Sequence, residues 1–482
     1  MQMTQDYTRA LSPFAFFRFR HLGDEYLLTN EVGDFTWLTH DEFRAMREGT
    51  LAGEYKETYD TLGTKGFIRG RLSKEEMSSR YAAKYFAGGG TALHIIVLTL
   101  RCDQACIYCQ VSAVHGSGHE DLDMTMETGM KVVEKIFTSR SKLLHIEFQG
   151  GESLLNFPVL KAIVLRAREI EKTDKRPLMI TVGTNLALMT EEIAQFLLKH
   201  NVKVSSSLDG PQSLHDWQRR RTDGVSSHGL VTHWLKRLRE IGAEEGQFQR
   251  PQALITITKA SLPLYKEIID EYKDIGAGGV FLRFVHPIGA AEKSMRHIGY
   301  TAEEYVDFYR KALDYIIEIN KNGTHFYEVM ARILLLKILT GQDPNYMDIR
   351  SPCGAGIGQI IYHYNGAVYT CDEGRMLAAG GDESFKISSN VDQFTFDQLG
   401  KSSVVKSCCA ASCQDVMPGC SECAYKPYCG TCPVINHKLE GHIYRKSAYL
   451  CGIRAGTLDI IFKHLKNPVS RDIFYRWVGK AK

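Results

Sequence analysis

Three cysteines fall close together in the stretch RCDQACIYCQ, which begins at Arg101: Cys102, Cys106 and Cys109, spaced CxxxCxxC. Thiolates are the donors that zinc and iron–sulfur clusters share, so the spacing first asks which of the two it serves. Structural zinc takes four ligands, usually as two CxxC-type pairs. No fourth cysteine stands near this trio, which leaves His115 and His119 as the fourths a zinc reading would need. On an iron–sulfur cube three cysteines leave one iron without a protein ligand, and that corner is free to hold a substrate or a cofactor.

Ten of the thirteen cysteines lie beyond residue 350. Cys353 is followed by Gly366 and Cys371, then comes CSECAYKPYCGTC with Cys420, Cys423, Cys429 and Cys432, and finally Cys451; Cys408, Cys409 and Cys413 are extra. The start of the chain, MQMTQDYTRALSPFAFF, lacks a basic-then-apolar leader, so the sequence reads as cytoplasmic. A reducing compartment keeps thiols free, and their crowding then points to metal or iron–sulfur ligation rather than disulfides. A zinc ribbon built on the CxxC pairs is the competing account.

Such residues need a scaffold, and the chain is long enough to supply one. Its 482 residues suggest about two to four domains, and 44% hydrophobic with 24% charged residues is the balance of a folded chain. The net charge of +3 is spread along the sequence, which gives no case for nucleic acid. Apolar runs stay well short of the roughly 18 to 20 residues that span a bilayer, so no membrane partner is expected. From 92 to about 321, short β-branched runs alternate with amphipathic stretches. Strands are expected at 93–100, 143–149, 178–184, 202–208, 252–258 and 279–285, with helices such as METGMKVVEKIF and TEEIAQFLLKH between them. Six such units predict an α/β fold built on a partial (βα)6 TIM-type parallel barrel, incompletely closed because a full one has eight strands. Chemistry belongs at the C-terminal ends of parallel strands. The cysteine loop, GGE, TN, SLDG and Arg283 follow or end strands one, two, three, four and six.

The expected division is a small α+β module at 1–85, the barrel at 90–300, a helical connection at 301–349, a cysteine-rich domain at 350–455 and a C-terminal helix at 456–482. The cysteine-rich region shows little periodic apolar sequence, so its metal sites are expected to hold it together.

The cysteine loop after strand one, Tyr108 before its last cysteine, and QGGE on strand two together resemble the radical SAM enzymes. The resemblance implies a 4Fe–4S cluster on Cys102, Cys106 and Cys109 whose open iron is chelated by S-adenosyl-L-methionine (SAM). It further implies that Gly150, Gly151 and Glu152 receive the methionine ammonium. Asn185 and Ser207 would reach the ribose and methionine moieties, and Arg219 would pair with the methionine carboxylate. The later cysteines resemble the SPASM extension, which carries two auxiliary 4Fe–4S clusters. Cys420, Cys423, Cys429 and Cys451 would then hold the outer one, and Cys353, Cys371 and Cys432 the inner one.

The inner set is one ligand short. CxxC replaces the usual CxxxC at Cys429–Cys432, and no cysteine follows closely on Cys353. Among the three extra thiols Cys413 is the first choice to complete it; otherwise an open iron is left for substrate. By the same resemblance Asp372, directly after Cys371, matches an aspartate that removes a substrate proton in sulfatase-maturing relatives.

From about residue 14 to 455 the chain is similar to the radical SAM maturase of the His-Xaa-Ser peptide system, through FRFRHLGDEYLLTNEVGDFTWLTHDEF, TALHIIVLTLRCDQACIYCQVS and YTCDEGRML. This implies a 5'-deoxyadenosyl radical that abstracts hydrogen from a ribosomally made precursor peptide, with an oxidative cross-link as the product and a reductant such as flavodoxin or ferredoxin as a second partner. The N-terminal module resembles winged-helix peptide-recognition domains; a plain structural cap is the alternative. Formylglycine-type side-chain oxidation and peptide epimerisation are the competing activities. An electron-transfer or zinc-binding protein is the non-enzymatic one.

Overall fold

A computed structural model describes residues 13–85, 89–244, 251–344 and 346–480. Near the N-terminus β1 (Phe17–Leu22), β2 (Glu25–Asn30) and β3 (Phe35–Thr39) form an antiparallel meander in the order β1–β2–β3. The helix His40–Glu48 follows at once, its start fixed by a capping box in which Thr39 and Glu42 satisfy each other's backbone amides. Leu28, Leu38, Phe43, Met46, Leu62 and Phe67 give this module a core of its own.

The barrel strands are β4 (Leu93–Thr99), β6 (Leu144–Gly150), β7 (Leu178–Gly183), β8 (Val202–Ser207), β10 (Gln252–Ile257) and β12 (Leu282–Phe284). They pair in parallel and in chain order. β4 reads LHIIVLT and is buried along almost its whole length, as a central parallel strand covered on both faces must be. The connecting helices show why they cover the sheet. Met126–Phe137 buries Gly129, Val132, Val133 and Ile136 on one face, and Thr125 caps its first turn. The α/β fold is therefore the one expected, with one local difference: strand six breaks in two. β11 (Gly279–Val280) pairs with β13 (Tyr327–Glu328), and only β12 continues the barrel.

A larger difference concerns the cysteine-rich region. Its strand β14 (Gln359–Tyr362) lies parallel to β4 on the side away from β6, and β15 (Val368–Tyr369) and β16 (Lys386–Ser388) extend the sheet further. The result is one nine-stranded sheet with the order β12–β10–β8–β7–β6–β4–β14–β15–β16. Ile95, Val97, Ile361, Ala367 and Tyr369 pack together across the junction. The cap thus shares the barrel's hydrogen-bond ladder and has an apolar core. The expected poverty of core is not found, because the region's apolar residues are gathered by long-range pairing, not by local periodicity.

The N-terminal module docks on the cap. Thr29 Oγ1 donates to the Ala424 carbonyl at 2.7 Å, Tyr428 Oη to the Gly33 carbonyl at 2.9 Å, and the Arg20 guanidinium grips Asp459 through two bonds of 2.7 Å. Phe35 and Trp37 meet Phe462 edge-on. No helix among the described residues is long and apolar enough to cross a membrane.

Candidate functional site

The loop after β4 is fastened from three sides. β5 (Gln104–Cys106) pairs antiparallel with β9 (Arg219–Arg221), which sets Cys106 opposite Arg219. The Ile107 amide donates to the Gln218 carbonyl, and the Ala290 amide to the Cys109 carbonyl at 2.8 Å. Beneath the loop lies the GGE turn. The Gly151 amide donates to the Thr99 carbonyl and the Glu152 amide to the Arg101 carbonyl. Gly150 has φ 136°, and a Cβ at either glycine would run into a backbone oxygen, that of Thr99 or Arg101. Only glycine permits this approach of strand end to loop.

Glu152 is fully buried and its carboxylate is spent internally. It accepts from Leu154 N at 2.9 Å, Thr184 Oγ1 at 2.7 Å and Asn185 N at 2.7 Å, yet burial still raises its pKa to about 7. Asn185 in turn donates from Nδ2 to Asp103 Oδ1 at 2.6 Å and reaches Cys102 Sγ at 4.0 Å. Glu152 and Asn185, two polar residues expected at SAM, thus brace the cysteine loop from below. Ser207 is half-buried at the C-terminal end of β8.

Arg219 is buried and donates from Nη1 to Tyr108 Oη at 2.8 Å; Tyr108 Oη donates to Asp209 Oδ2 at 2.5 Å. Burial works against the guanidinium's charge, but Cys106, Tyr108 and Asp209 hold its pKa well above the ordinary value. Asp209, from SLDG, is the partner that sequence reasoning passed over. Its signal was an acidic residue at a barrel strand end followed by Gly210, which has φ 98°. Arg219 Nε, Asp209 Oδ1, Ser206 Oγ and Asp103 Oδ2 are buried polar atoms without a hydrogen-bond partner. Such orphaned atoms suit a polar ligand at this strand-end surface.

Cysteine thiols are donors that an iron–sulfur cluster takes. Burial pushes the Cys106 thiol up to about 12 and raises Cys102 further, and Cys106 feels both Arg219 and Cys109. A thiol bound to a metal is deprotonated whatever its free pKa. Among the described residues no three His, Cys, Asp or Glu side chains close on a single-ion position.

In the cap, Cys353, Cys371 and Cys432 are buried within one apolar cluster that also holds Ile288, Phe385 and Leu450. Cys420, Cys423, Cys429 and Cys451 line one cavity together with Lys446 and Arg454. Arg454 lies between the two sets, close enough to Cys429, Cys432 and Cys353 for their charges to act on it, and donates to the Gly430 carbonyl at 2.6 Å. Cys413 does not join the inner set. It stands at the C-terminal end of the helix Ser403–Ser412, and its thiol points to Asp415 Oδ2 at 3.9 Å, because the helix ends before it and the chain turns outward.

Asp372 opens the helix Asp372–Ala378, where Oδ1 accepts from the buried Arg375 Nη2 at 2.5 Å. Arg375 Nη1 also reaches the Val111 carbonyl of the cysteine loop at 3.3 Å. Glu373, its neighbour, has its carboxyl raised by burial and by Asp348 and Asp372. Arg283, at the end of the sixth barrel strand, lines a cavity with Asp348, Tyr346, His286 and Arg454.

Residues 96–247 match the Radical SAM superfamily. The chain is 28% identical over 224 residues to the radical SAM cyclopropyl synthase TigE of Paramaledivibacter caminithermalis, a match covering 43% of this chain and 44% of TigE. In fold it is similar to the solved structure of native anSMEcpe with bound AdoMet (TM-score 0.65, 19% identity, 79% of this chain and 100% of that one). It is also similar to Streptococcus suis SuiB bound to S-adenosylmethionine (TM-score 0.56, 14% identity, 90% and 99%). The strand order and the loop after β4 agree with the match of residues 96–247 to the radical SAM superfamily, a family that binds a 4Fe–4S cluster and S-adenosylmethionine.

Proposed function

We propose that the protein is a radical SAM maturase that installs an oxidative modification, a side-chain cross-link, in a ribosomally made precursor peptide, after the manner of the His-Xaa-Ser maturases. The observation that carries this reading is the placement of a second buried cysteine set, Cys353, Cys371 and Cys432, on a cap packed against the loop of Cys102, Cys106 and Cys109. When bound, the loop cluster and SAM supply homolytic hydrogen abstraction, chemistry that side-chain acids and bases do not offer. The chain's own residues do the rest. Cys102, Cys106 and Cys109 hold the cluster, with Tyr108 fixing the loop through Asp209 and Arg219. Gly150 and Gly151 open backbone next to it, Glu152 and Arg219 shape the methionine end, and Asn185 and Ser207 lie toward the ribose and methionine. Asp372, which accepts from Arg375 and is near enough to Arg283 for its charge to act on that guanidinium, takes the proton released by the substrate.

Cys353, Cys371 and Cys432, and Cys420, Cys423, Cys429 and Cys451, would hold clusters able to take up the surplus electron that a net oxidation leaves. The peptide assignment draws on TigE, a cyclopropyl synthase, and on SuiB, which has been solved bound to precursor peptide SuiA. It also draws on the N-terminal meander, where β1 lies at the sheet edge and Phe16 and Phe19 are exposed, a surface suited to an added peptide strand.

The test is an anaerobic assay of the reconstituted protein with the peptide encoded beside it and a flavodoxin or ferredoxin reductant. Loss of a pair of hydrogens from the peptide, together with 5'-deoxyadenosine, is the expected result. Unchanged peptide mass with uptake of solvent deuterium would replace the cross-link with epimerisation.

A further inference from the structure

The tract after Cys353 reads GAGIG, with no thiol where a fourth ligand for the inner set would normally stand. The structure fills that place from elsewhere. Gly356 has φ 73°, and a Cβ there would meet Val405 Cγ2 at 2.6 Å, so the glycine lets the helix Ser403–Ser412 settle directly onto the tract. One turn further on, Cys408 faces inward. It is 1% exposed and belongs to the same apolar cluster as Cys353, Cys371 and Cys432.

Two further ties hold it there. Ser412 Oγ accepts from the Cys353 amide at 2.8 Å and donates to the Cys408 carbonyl at 2.6 Å, which locks the helix's last turn to the Cys353 backbone. The Thr370 hydroxyl donates to Cys371 Sγ at 3.9 Å and is close enough to Cys408 to act on its thiol as well. Cys408 is also near enough to Cys353 for its charge to act on that thiol. The other extra thiols face away. Cys409 lines an outer cavity with Gly356 and Ala410 and feels Arg350, and Cys413 points to Asp415.

We infer that Cys408, carried on the helix Ser403–Ser412, is the fourth protein ligand of the inner auxiliary cluster, so that this cluster has no open iron and relays electrons rather than binding substrate. The inference rests on the reading of Cys353, Cys371 and Cys432 as ligands of that cluster.

The test uses the full chain, reconstituted anaerobically. In Cys408→Ala, the inner cluster should lose one iron and show the spin signature of a three-iron cluster on oxidation, while Cys409→Ala and Cys413→Ala keep the wild-type iron content and spectrum. In the wild type, cyanide should leave the spectrum of the reduced auxiliary clusters unchanged, because no iron there is open. A three-iron signature from Cys413→Ala and not from Cys408→Ala, or a cyanide-shifted inner cluster in the wild type, overturns the inference. Cys371→Ala separates this from the reading beneath it. If it removes the inner cluster's iron while Cys408→Ala changes nothing, only the ligand assignment fails; if it also changes nothing, the inner cluster itself is wrongly placed. Should Cys408→Ala not fold, the cyanide result on the wild type still decides.

Discussion

The two cysteine regions are built by opposite means. The barrel loop gathers Cys102, Cys106 and Cys109 on one short segment, and the fold's work is to fasten that segment to strand ends through β5, the GGE turn and the Tyr108–Asp209–Arg219 chain. The cap brings Cys353, Cys371, Cys408 and Cys432 together from four separate stretches, and there the fold's work is to assemble the site at all. A local site tolerates changes in distant packing as long as its anchors hold. An assembled one depends on every element that contributes to it.

The sharpest way to break this comparison is to remove one thiol from each region. Cys106→Ala should abolish 5'-deoxyadenosine formation while the cap keeps its iron. Cys432→Ala should do the reverse, retaining SAM cleavage while peptide modification is lost. Product analysis and iron content read out both variants, and equal loss of both activities would mean that the regions are not separable.

The next largest effect concerns the anchors. Arg219→Met leaves Asp209 as a buried carboxylate without its cation, which should cost about 3 to 5 kcal/mol of unfolding free energy. Tyr108→Phe, which keeps the ring and removes one hydrogen bond from the same chain, should cost only about 1 kcal/mol. Denaturant melts of the two variants measure the ratio; similar costs would show that the charge of Arg219 acting on Asp209 through Tyr108 is not the anchor.

Asp372→Asn sharpens the functional half. SAM cleavage should persist while peptide modification slows by about 10²- to 10⁴-fold, the range of a lost general base. An unaltered rate at the same SAM turnover would take Asp372 out of the reaction. The smallest expected effect is at the docking face. Arg20→Ala, at a partly exposed ion pair with Asp459, should lower stability by about 0.2 to 1 kcal/mol and leave both activities in place. A larger loss in thermal melts would mean that the N-terminal module supports the cap's cysteine set.

The barrel strands were legible because β-branched runs at regular intervals, separated by amphipathic helices, have few ways to bury both kinds of face. The loop thiols were legible for a simpler reason, since three donors in one short segment stay near one another in any fold. Asp209 was harder: SLDG shows an acidic residue, but nothing local says that Tyr108 and Arg219, more than one hundred residues away at one end, will meet it. The cap was misread for the same reason. Its strands are short, its apolar residues lack a period, and its sheet exists only because β14 finds β4. Cys413 was the first choice among the extra thiols, whereas facing is set by helix phase, and Cys408 is the one turned inward.

By itself, then, the chain order of residues determined the parallel strand succession, the glycine-permitted turn and the trio of thiols, all of which follow from interactions within a few residues or within one repeating unit. Tertiary structure alone decided which buried charges pair, that the cap continues the barrel's sheet, and which cysteines share a core. Those outcomes depend on contacts between segments far apart in the chain, where burial and backbone pairing, not local spacing, select the partner.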